Sequence, residues 1–215
     1  ANMVHVRSPE GRSAYPWFGN IYLNITNRCP TACMFCVKRD WEWRFWDNDL
    51  LLRYEPSVDE IWNELLPLTA GRPPLEIVFC GYGEPTYRLE AIAMLSRRIR
   101  ERFPATRLRL NTVGLGDLIA GRSIAPTLRD LVDAVSISIN TADPRQWPIL
   151  HRPETSYQNS GFDAVCRFAV DCVQAGLHTT LTAVDLPQVD LPAVERLAHQ
   201  LGADFRARPT LTSAA

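Results

Sequence analysis

The chain has 215 residues, of which 46% are hydrophobic and 22% are charged, and its formal net charge is −1. This length and composition suit a globular chain with a sizeable core, and the near-neutral charge gives no electrostatic reason to expect nucleic-acid or membrane binding. The sequence contains no apolar run near the ~20 residues that a membrane-spanning helix needs.

Apolar runs and helix-like stretches alternate along the chain from residue 21 onward. The predicted strands cover residues 21–26, 75–80, 107–112, 134–140, 178–184 and 205–208. The predicted helices cover residues 58–68, 89–102, 127–131, 162–175 and 191–201. This alternation is typical of parallel α/β units, so we expect one α/β domain over residues 1–215, with residues 1–20 as an N-terminal extension.

Several of the predicted strands alternate between apolar and polar residues. In the fourth strand, the odd-numbered residues from 135 to 139 are apolar and the even-numbered residues from 136 to 140 are polar. One face of such strands can pack on helices, but the other is too polar for the packed interior of a closed barrel. We therefore expect an open barrel whose concave face lines a wet ligand cavity. A sheet with one solvent-exposed face is the weaker alternative, because helical crossovers normally cover both faces of a parallel sheet.

Three cysteines follow the first predicted strand directly. Cys29, Cys33 and Cys36 have the spacing C-x3-C-x2-C. Three thiolates this close in sequence can surround one soft metal centre, and thiolates suit iron–sulfur clusters, zinc and copper(I). A [4Fe–4S] cluster has four irons, so three thiolates would leave one iron with an open site, and open metal sites are where chemistry happens.

A glycine-rich turn with an acidic residue, Gly81-Tyr82-Gly83-Glu84-Pro85, follows the second predicted strand. Glycines allow backbone carbonyls to approach a ligand closely, and a carboxylate beside such carbonyls favours a positively charged amine. Polar side chains also follow the later strands. Because active sites of α/β barrels lie at the carboxyl ends of the strands, we expect all of these residues to meet at one rim.

A run of aromatic residues from Trp41 to Trp46 lies within a predicted insertion over residues 37–57, after the cysteines. Extended geometry would place Trp41, Trp43 and Phe45 on one face of the run. We expect this segment to shield the metal centre and to cap the barrel. A substrate-stacking or partner surface is the alternative.

With these motifs, the chain from residue 21 to residue 208 resembles the radical S-adenosylmethionine (SAM) superfamily. The resemblance rests on C-x3-C-x-aromatic-C, in which Phe35 is the aromatic residue, and on Gly-Tyr-Gly-Glu-Pro in place of the usual Gly-Gly-Glu-Pro. It implies a partial, laterally open (β/α)6 barrel with parallel strands, and a [4Fe–4S] cluster and SAM as cofactors. In that family, SAM chelates the fourth iron, and one-electron reduction cleaves it to methionine and a 5′-deoxyadenosyl radical that abstracts hydrogen from substrate.

The resemblance also implies roles for individual residues. Cys29, Cys33 and Cys36 would be the cluster ligands, and Gly83 and Glu84 would contact the amino group of SAM. The expected SAM-binding residues are Phe35, Gly81, Gly83, Glu84, Asn111, Ser138, Asn140, Asp185 and Arg208. No catalytic residue is assigned. The residues expected to contact substrate, from their place near this cavity, are Trp41, Trp43, Arg109, Arg152 and Arg206.

Within the superfamily, the runs over residues 23–33 and 78–89 resemble the small group associated with TatD-family nucleases. The expected partners are an unidentified substrate and a one-electron donor of the flavodoxin or ferredoxin type. The chain ends just after the last predicted strand, so we expect a laterally open site that suits a large substrate or is completed by a second copy. No secretory leader is visible and the six cysteines do not suggest a disulfide framework, so we expect a cytoplasmic protein.

Two alternatives stay open. An enzyme similar to 7-carboxy-7-deazaguanine synthase or to the glycyl-radical activases would also be a short radical SAM protein. A non-catalytic iron–sulfur electron carrier or zinc protein would use Cys80, at the end of the second strand, as a fourth thiolate. We expect Cys80 to be a small buried hydrophobe instead, because a closed cluster leaves Gly83 and Glu84 without a role. We assign no catalytic role to any of the four histidines.

Overall fold

The computed structural model describes residues 11–211, whose strands form one main sheet and one small hairpin. In chain order the strands are β1 (Ala14–Trp17), β2 (Asn20–Asn24), β3 (Arg44–Phe45), β4 (Asn48–Asp49), β5 (Glu76–Cys80), β6 (Arg107–Thr112), β7 (Ala134–Ser138), β8 (His178–Val184) and β9 (Asp204–Arg208). The main sheet has the order β1-β2-β5-β6-β7-β8-β9, and β3 pairs with β4.

Six neighbouring strands of the main sheet, from β2 to β9, run parallel to one another in chain order. β1 is antiparallel to β2 and forms one edge, while β9 forms the other. Because these two edges are not paired within the described residues, the barrel wall is open along one side. The predicted partial, laterally open (β/α)6 barrel is therefore confirmed, with β1 as an additional strand.

The sequence did not predict β1, which lies in the part of the expected N-terminal extension that the structure describes. Pro16 lacks the N–H that a central strand needs, but an edge strand tolerates it. A two-residue turn joins β1 to β2, and both of its residues have positive φ, 47° at Phe18 and 78° at Gly19. Such a turn matches the twist of an antiparallel hairpin. Residues 1–10 of the expected extension lie outside the described residues.

The helices pack on the convex face of the sheet. They are α1 (Val58–Leu68), α2 (Leu89–Arg102), α3 (Gly116–Ala120), α4 (Ala125–Arg129), α5 (Trp147–His151), α6 (Gly161–Gln174) and α7 (Leu191–Gln200), with 3₁₀ turns at Pro85–Arg88 and Thr155–Tyr157. The sequence did not predict the short helices α3 and α5. In the part of the chain that the structure describes, no helix is long and apolar enough to cross a membrane.

The predicted alternation of the strands is present in the sheet. On β6, Leu108 and Leu110 are fully buried in the core, whereas Arg109 and Asn111 on the opposite face are only partly buried. Val135 and Ile137 on β7, and Ile139 just after this strand, also belong to the core. The convex face is therefore apolar and packs on the helices, and the polar concave face is available to line a site.

Candidate metal and cofactor site

The three cysteines lie on a loop that follows β2, called here the cysteine loop (residues 27–37). Backbone hydrogen bonds hold this loop against the C-terminal end of α5. Ala32 N–H donates to the carbonyl of His151 at 3.0 Å, and Met34 N–H donates to the carbonyl of Leu150 at 2.9 Å. Because α5 was not predicted, the contacts that position this loop could not be predicted from the sequence either.

The thiols of Cys29 and Cys33 share one hydroxyl neighbour. Thr31 Oγ1 lies 3.4 Å from Cys29 Sγ and 3.3 Å from Cys33 Sγ. Burial raises the pKa of Cys29, and burial followed by the nearby sulfurs of Cys29 and Cys36 raises the pKa of Cys33 to about 12. Both thiols are therefore protonated at neutral pH until a metal displaces the proton. Within residues 11–211, no group of three or more His, Cys, Asp or Glu side chains is arranged to hold a single metal ion.

His151 contacts the cysteine loop with its side chain as well as its backbone. Its Nδ1 lies 3.3 Å from Cys33 Sγ, and its Nε2 lies 3.0 Å from the carbonyl oxygen of Ile139. The ring is fully buried and stacks on Trp147, with 4.9 Å between ring centroids. Burial lowers the pKa of His151 to about 4, so the ring is neutral at physiological pH. No sequence signal could have found this residue, because 118 positions separate it from Cys33.

Lys38, the one lysine in the sequence, also lies close to the cysteines. Its side chain is 9% exposed, and its Nζ lies 5.0 Å from the centroid of the Trp43 ring. Its positive charge favours the thiolate of Cys29 and so lowers the pKa of that cysteine, whereas burial raises it. No motif in the sequence indicated a role for Lys38.

The turn after β5 presses against the start of the cysteine loop. A Cβ atom on Gly83 would lie 2.0 Å from the carbonyl oxygen of Thr26. Gly81 has a φ of 111°, which side chains disfavour. The backbone N–H of Glu84 donates to the carbonyl of Arg28 at 2.7 Å. The glycines of this turn are therefore required by its close approach to the cysteine loop.

The carboxylate of Glu84 is buried and faces the end of β6. Its Oε1 accepts hydrogen bonds from Thr86 N–H at 3.2 Å and from the hydroxyls of Thr86 and Thr112 at 2.7 Å each. Its Oε2 accepts from Val113 N–H at 2.8 Å. Burial raises the pKa of Glu84, and these donors oppose that effect. The expected contact between Glu84 and the amino group of SAM stays a prediction, since four protein donors already bind this carboxylate.

Gly83→Ala is expected to destabilise the protein. The new Cβ would overlap the carbonyl oxygen of Thr26, and overpacking of this kind costs about 1–3 kcal/mol. Urea denaturation should show a loss of this size, with an unchanged slope. Gly121→Ala is a matched control, because nothing lies within 4 Å of its Cβ position and only its φ of 68° is unfavourable. Equal losses in the two variants would show that the contact with Thr26 is not what requires glycine at position 83.

The predicted cofactor residues at the ends of β6 and β7 bind other protein groups. Asn111 Oδ1 accepts from Arg109 Nη1 at 2.8 Å, and Asn111 Nδ2 lies 3.4 Å from Cys80 Sγ. Asn140 has a φ of 63°, and its Oδ1 accepts from Val184 N–H at 2.9 Å. Asn140 therefore joins the end of β7 to β8, and its 1% exposed side chain leaves little surface for a ligand.

The remaining predicted SAM contacts lie at the same rim of the sheet. The Thr182 hydroxyl donates to Ser138 Oγ at 3.4 Å across β7 and β8. Asp185 is exposed directly after β8, and its N–H donates to the carbonyl of Arg208 at 2.8 Å. Phe35, on the cysteine loop, meets the His151 ring edge-on with 5.6 Å between centroids. These contacts bring the rim residues together, and their binding to SAM stays a prediction.

The aromatic run does not form one extended strand. Only Arg44–Phe45 is strand, and Trp43 has a φ of 63°. Trp41 lies 6.3 Å from Phe45 between ring centroids, whereas Trp43 lies 6.2 Å from Tyr82. The extended geometry predicted for the run is therefore wrong, because left-handed residues interrupt the strand alternation.

The hairpin of β3 and β4 covers the outer strand of the sheet. The Phe45 ring packs on Trp17 at 4.7 Å and on Tyr15 at 5.9 Å between centroids, and both partners belong to β1. Tyr82, in the turn after β5, donates its hydroxyl to the carbonyl of Arg44 at 2.8 Å. These contacts attach the aromatic run to the edge of the barrel. Its role as a cover or as a substrate surface stays a prediction.

The predicted substrate residues differ in their surroundings. Arg109 is largely buried and pairs with Glu76 at 2.9 Å. Arg152 is exposed after α5, with a φ of 45°, beside the segment that holds the cysteine loop. Arg206 lies on β9 in register with Thr182. Substrate contacts at these positions stay predictions.

The sequence matches the profile of one protein family. The profile described as the Radical SAM superfamily matches residues 23–201, a span that includes the cysteine loop and the turn after β5. Among curated protein sequences, no match was found.

Several solved structures share this fold. SuiB from Streptococcus suis is 15% identical, with a TM-score of 0.60 over 86% of this chain and 38% of that chain. The FeFe-hydrogenase maturase HydG from Carboxydothermus hydrogenoformans is 15% identical, with a TM-score of 0.65 over 91% of this chain and 45% of that chain. The radical SAM methyltransferase TsrM from Kitasatospora setae, with cobalamin and a [4Fe–4S] cluster bound, is 18% identical, with a TM-score of 0.55 over 88% of this chain and 36% of that chain. This chain thus spans less than half the length of these proteins, and the likeness is one of fold.

Proposed function

The chain belongs to the radical SAM superfamily, whose enzymes use a [4Fe–4S] cluster and SAM, and we propose that Cys29, Cys33 and Cys36 bind that cluster here. The observation that carries the proposal is that one short loop holds all three cysteines, and that the sulfurs of Cys29 and Cys33 lie 3.4 and 3.3 Å from the same Thr31 hydroxyl. Thiolates are the usual ligands of such clusters, so the donor set fits the group. When bound, the cluster and SAM supply a 5′-deoxyadenosyl radical that abstracts hydrogen from a substrate.

The residues of the rim would bind and orient SAM. Backbone carbonyls of the turn over residues 81–85 would accept hydrogen bonds from its amino group, since the carboxylate of Glu84 already holds four protein donors. Asn111, Ser138 and Asn140 would lie near its ribose and carboxylate. The segment around Phe35, together with Asp185 and Arg208, would border its adenine. In this arrangement the protein supplies orientation and exclusion of water, while the cofactors supply the reactive group.

A second candidate function is a non-catalytic iron–sulfur carrier or zinc protein with Cys80 as fourth ligand. The observation that favours it is that Cys36 and Cys80 both act on the same tyrosine. Burial, and then the charges of these two sulfurs, raise the pKa of Tyr82. Cys80 Sγ also has Asn111 Nδ2 as a neighbour at 3.4 Å. A fourth thiolate would close the cluster and leave no iron for SAM, which is inconsistent with the family's use of that cofactor.

Cys80→Ala is expected to keep the wild-type iron content after anaerobic reconstitution with iron and sulfide. With dithionite and SAM, the variant should then produce 5′-deoxyadenosine, as the wild type does. A loss of iron in this variant would support the carrier or zinc protein. Absence of 5′-deoxyadenosine from folded, cluster-loaded wild-type protein would refute the radical SAM activity.

The subgroup, the substrate, the electron donor and the domain organisation of the protein belong to the same proposal. The cysteine loop and the turn after β5 support a relationship to the group associated with TatD-family nucleases. Its substrate is unidentified, and its electron donor is of the flavodoxin or ferredoxin type. Residues 1–215 would act as one cytoplasmic domain with an insertion over residues 37–57. The open side of the barrel, between β1 and β9, would accept a large substrate or be completed by a second copy.

A further inference from the structure

The concave face of the sheet carries more guanidinium groups than carboxylates. Arg109 on β6 binds Glu76 on β5, with its Nη2 2.9 Å and its Nε 3.2 Å from Glu76 Oε1. Arg107 lies 3.6 Å from the other carboxylate oxygen, Oε2. Two arginines therefore already share the negative charge of Glu76.

Two further arginines, Arg206 and Arg208, lie on β9. No ion pair involves either of them in the part of the chain that the structure describes. The carboxylate of β9, Asp204, is bound to His178 Nε2 at 2.8 Å. The positive charges on this strand are therefore not neutralised by the strand itself.

Arg206 lies on the same face of the sheet as Thr182, its partner in the register of β8 and β9. In a flat sheet, β5 and β9 would be about 19 Å apart, which is four strand spacings. Burial, and then the positive charges of Arg109 and Arg208, nevertheless lower the pKa of Arg206, while Tyr22 and Glu76 act on it in the opposite direction. Arg206 therefore lies in the electrostatic field of side chains on β2, β5 and β6, as expected if the sheet is curved like a barrel wall.

Small side chains occupy the concave face between these arginines. Ser136 pairs with Thr180, and Ser138 pairs with Thr182, in the register of β7 and β8. Arg206 follows Thr182 in the next strand. None of these four small residues fills much space above the sheet, and all four carry a hydroxyl. Between Arg109 on β6 and Arg206 on β9, the face is therefore lined by small hydroxyl side chains, of which Ser138 and Thr180 are partly exposed; this part of the concave face is called here the arginine groove.

We propose that the arginine groove binds an anionic group of the substrate, a carboxylate or a phosphate, between Arg109 and Arg206. Guanidinium groups bind such oxyanions through paired, charge-assisted hydrogen bonds. The anion gives Arg206 the negative partner that it lacks, and the partly exposed hydroxyls of Ser138 and Thr180 donate further hydrogen bonds to it. This inference rests on the proposed function, because it places the substrate of that reaction below the rim where SAM binds.

Binding of simple anions to the cluster-loaded protein tests this inference without any turnover. Inorganic phosphate and acetate are each titrated by calorimetry at constant ionic strength against chloride, and we expect one of them to bind. Arg206→Gln should weaken that binding by about tenfold or more, because a charge-assisted contact is lost. Arg196→Gln, which removes an exposed arginine on α7, is the matched control and should bind as the wild type does. Whichever of the two anions binds more tightly identifies the anionic group of the substrate as a phosphate or a carboxylate.

Two results would overturn the inference. One is that neither anion binds more tightly than chloride, and the other is that Arg206→Gln binds as well as the wild type. The calorimetric result is independent of SAM cleavage. Formation of 5′-deoxyadenosine without anion binding would overturn the arginine groove alone. Anion binding that depends on Arg206, with no SAM cleavage, would overturn the proposed reaction and leave the anion site in place.

Discussion

Cys33→Ala is expected to lose nearly all of its iron, falling from about four irons per chain to fewer than one. Cys33 lies between its neighbours in the cysteine loop, and its sulfur contacts both Thr31 and His151. Without this thiolate only two of the loop's cysteines remain, which is too few to hold the cluster. Iron and sulfide analysis after anaerobic reconstitution gives the result directly, together with loss of the visible absorbance of the cluster.

Cys166→Ala is the matched control for this experiment. Cys166 lies half-buried on α6, and its substitution removes a thiol without touching the cysteine loop. Its iron content should equal that of the wild type. Circular dichroism of both variants shows whether each is folded. A folded Cys33→Ala protein that keeps four irons would contradict the assignment of the cluster ligands.

His151→Phe is expected to destabilise the protein by about 1–3 kcal/mol. A carbonyl oxygen only accepts hydrogen bonds, so the single proton of the neutral imidazole lies on Nε2, which donates to the carbonyl of Ile139 at 3.0 Å. Nδ1 lies 3.3 Å from Cys33 Sγ and accepts from that thiol. Phenylalanine can form neither hydrogen bond, so the carbonyl of Ile139 loses this donor.

Phenylalanine retains the ring contacts of His151 with Trp147 and Phe35, so the expected loss of stability comes from the two ring nitrogens. Urea denaturation measures this loss, and His199→Phe, on the exposed surface of α7, is the control. If the His151→Phe and His199→Phe proteins are equally stable, the hydrogen bonds of His151 contribute nothing beyond the packing of its ring.

The sheet could be predicted because strand alternation is a local property of the sequence. Apolar residues such as Leu108 and Leu110 alternate with polar ones such as Arg109 and Asn111, and each set faces one side of the wall. The edge strand β1 could not be predicted in this way, since Pro16 normally argues against a strand. The geometry of the aromatic run could not be predicted either, because the positive φ of Trp43 leaves no signal in the residue types.

In the candidate site, too, local motifs could be predicted and long-range contacts could not. The spacing of the three cysteines and the glycine turn after β5 are contiguous motifs, so their chemistry could be read directly. The contact between His151 and Cys33 depends on α5, and two of the four donors around Glu84 come from Thr112 and Val113 at the end of β6. Such contacts join residues far apart in sequence, and only the folded chain reveals them.

The central claim is that three cysteines hold a cluster with one iron open to SAM. The most direct test is the electron paramagnetic resonance (EPR) spectrum of the reduced, reconstituted protein, recorded with and without SAM. We predict that SAM changes the spectrum, and that it does so equally in Cys80→Ala, because ligation of SAM alters the electronic structure of the open iron. A cluster spectrum that is identical with and without saturating SAM would contradict the account.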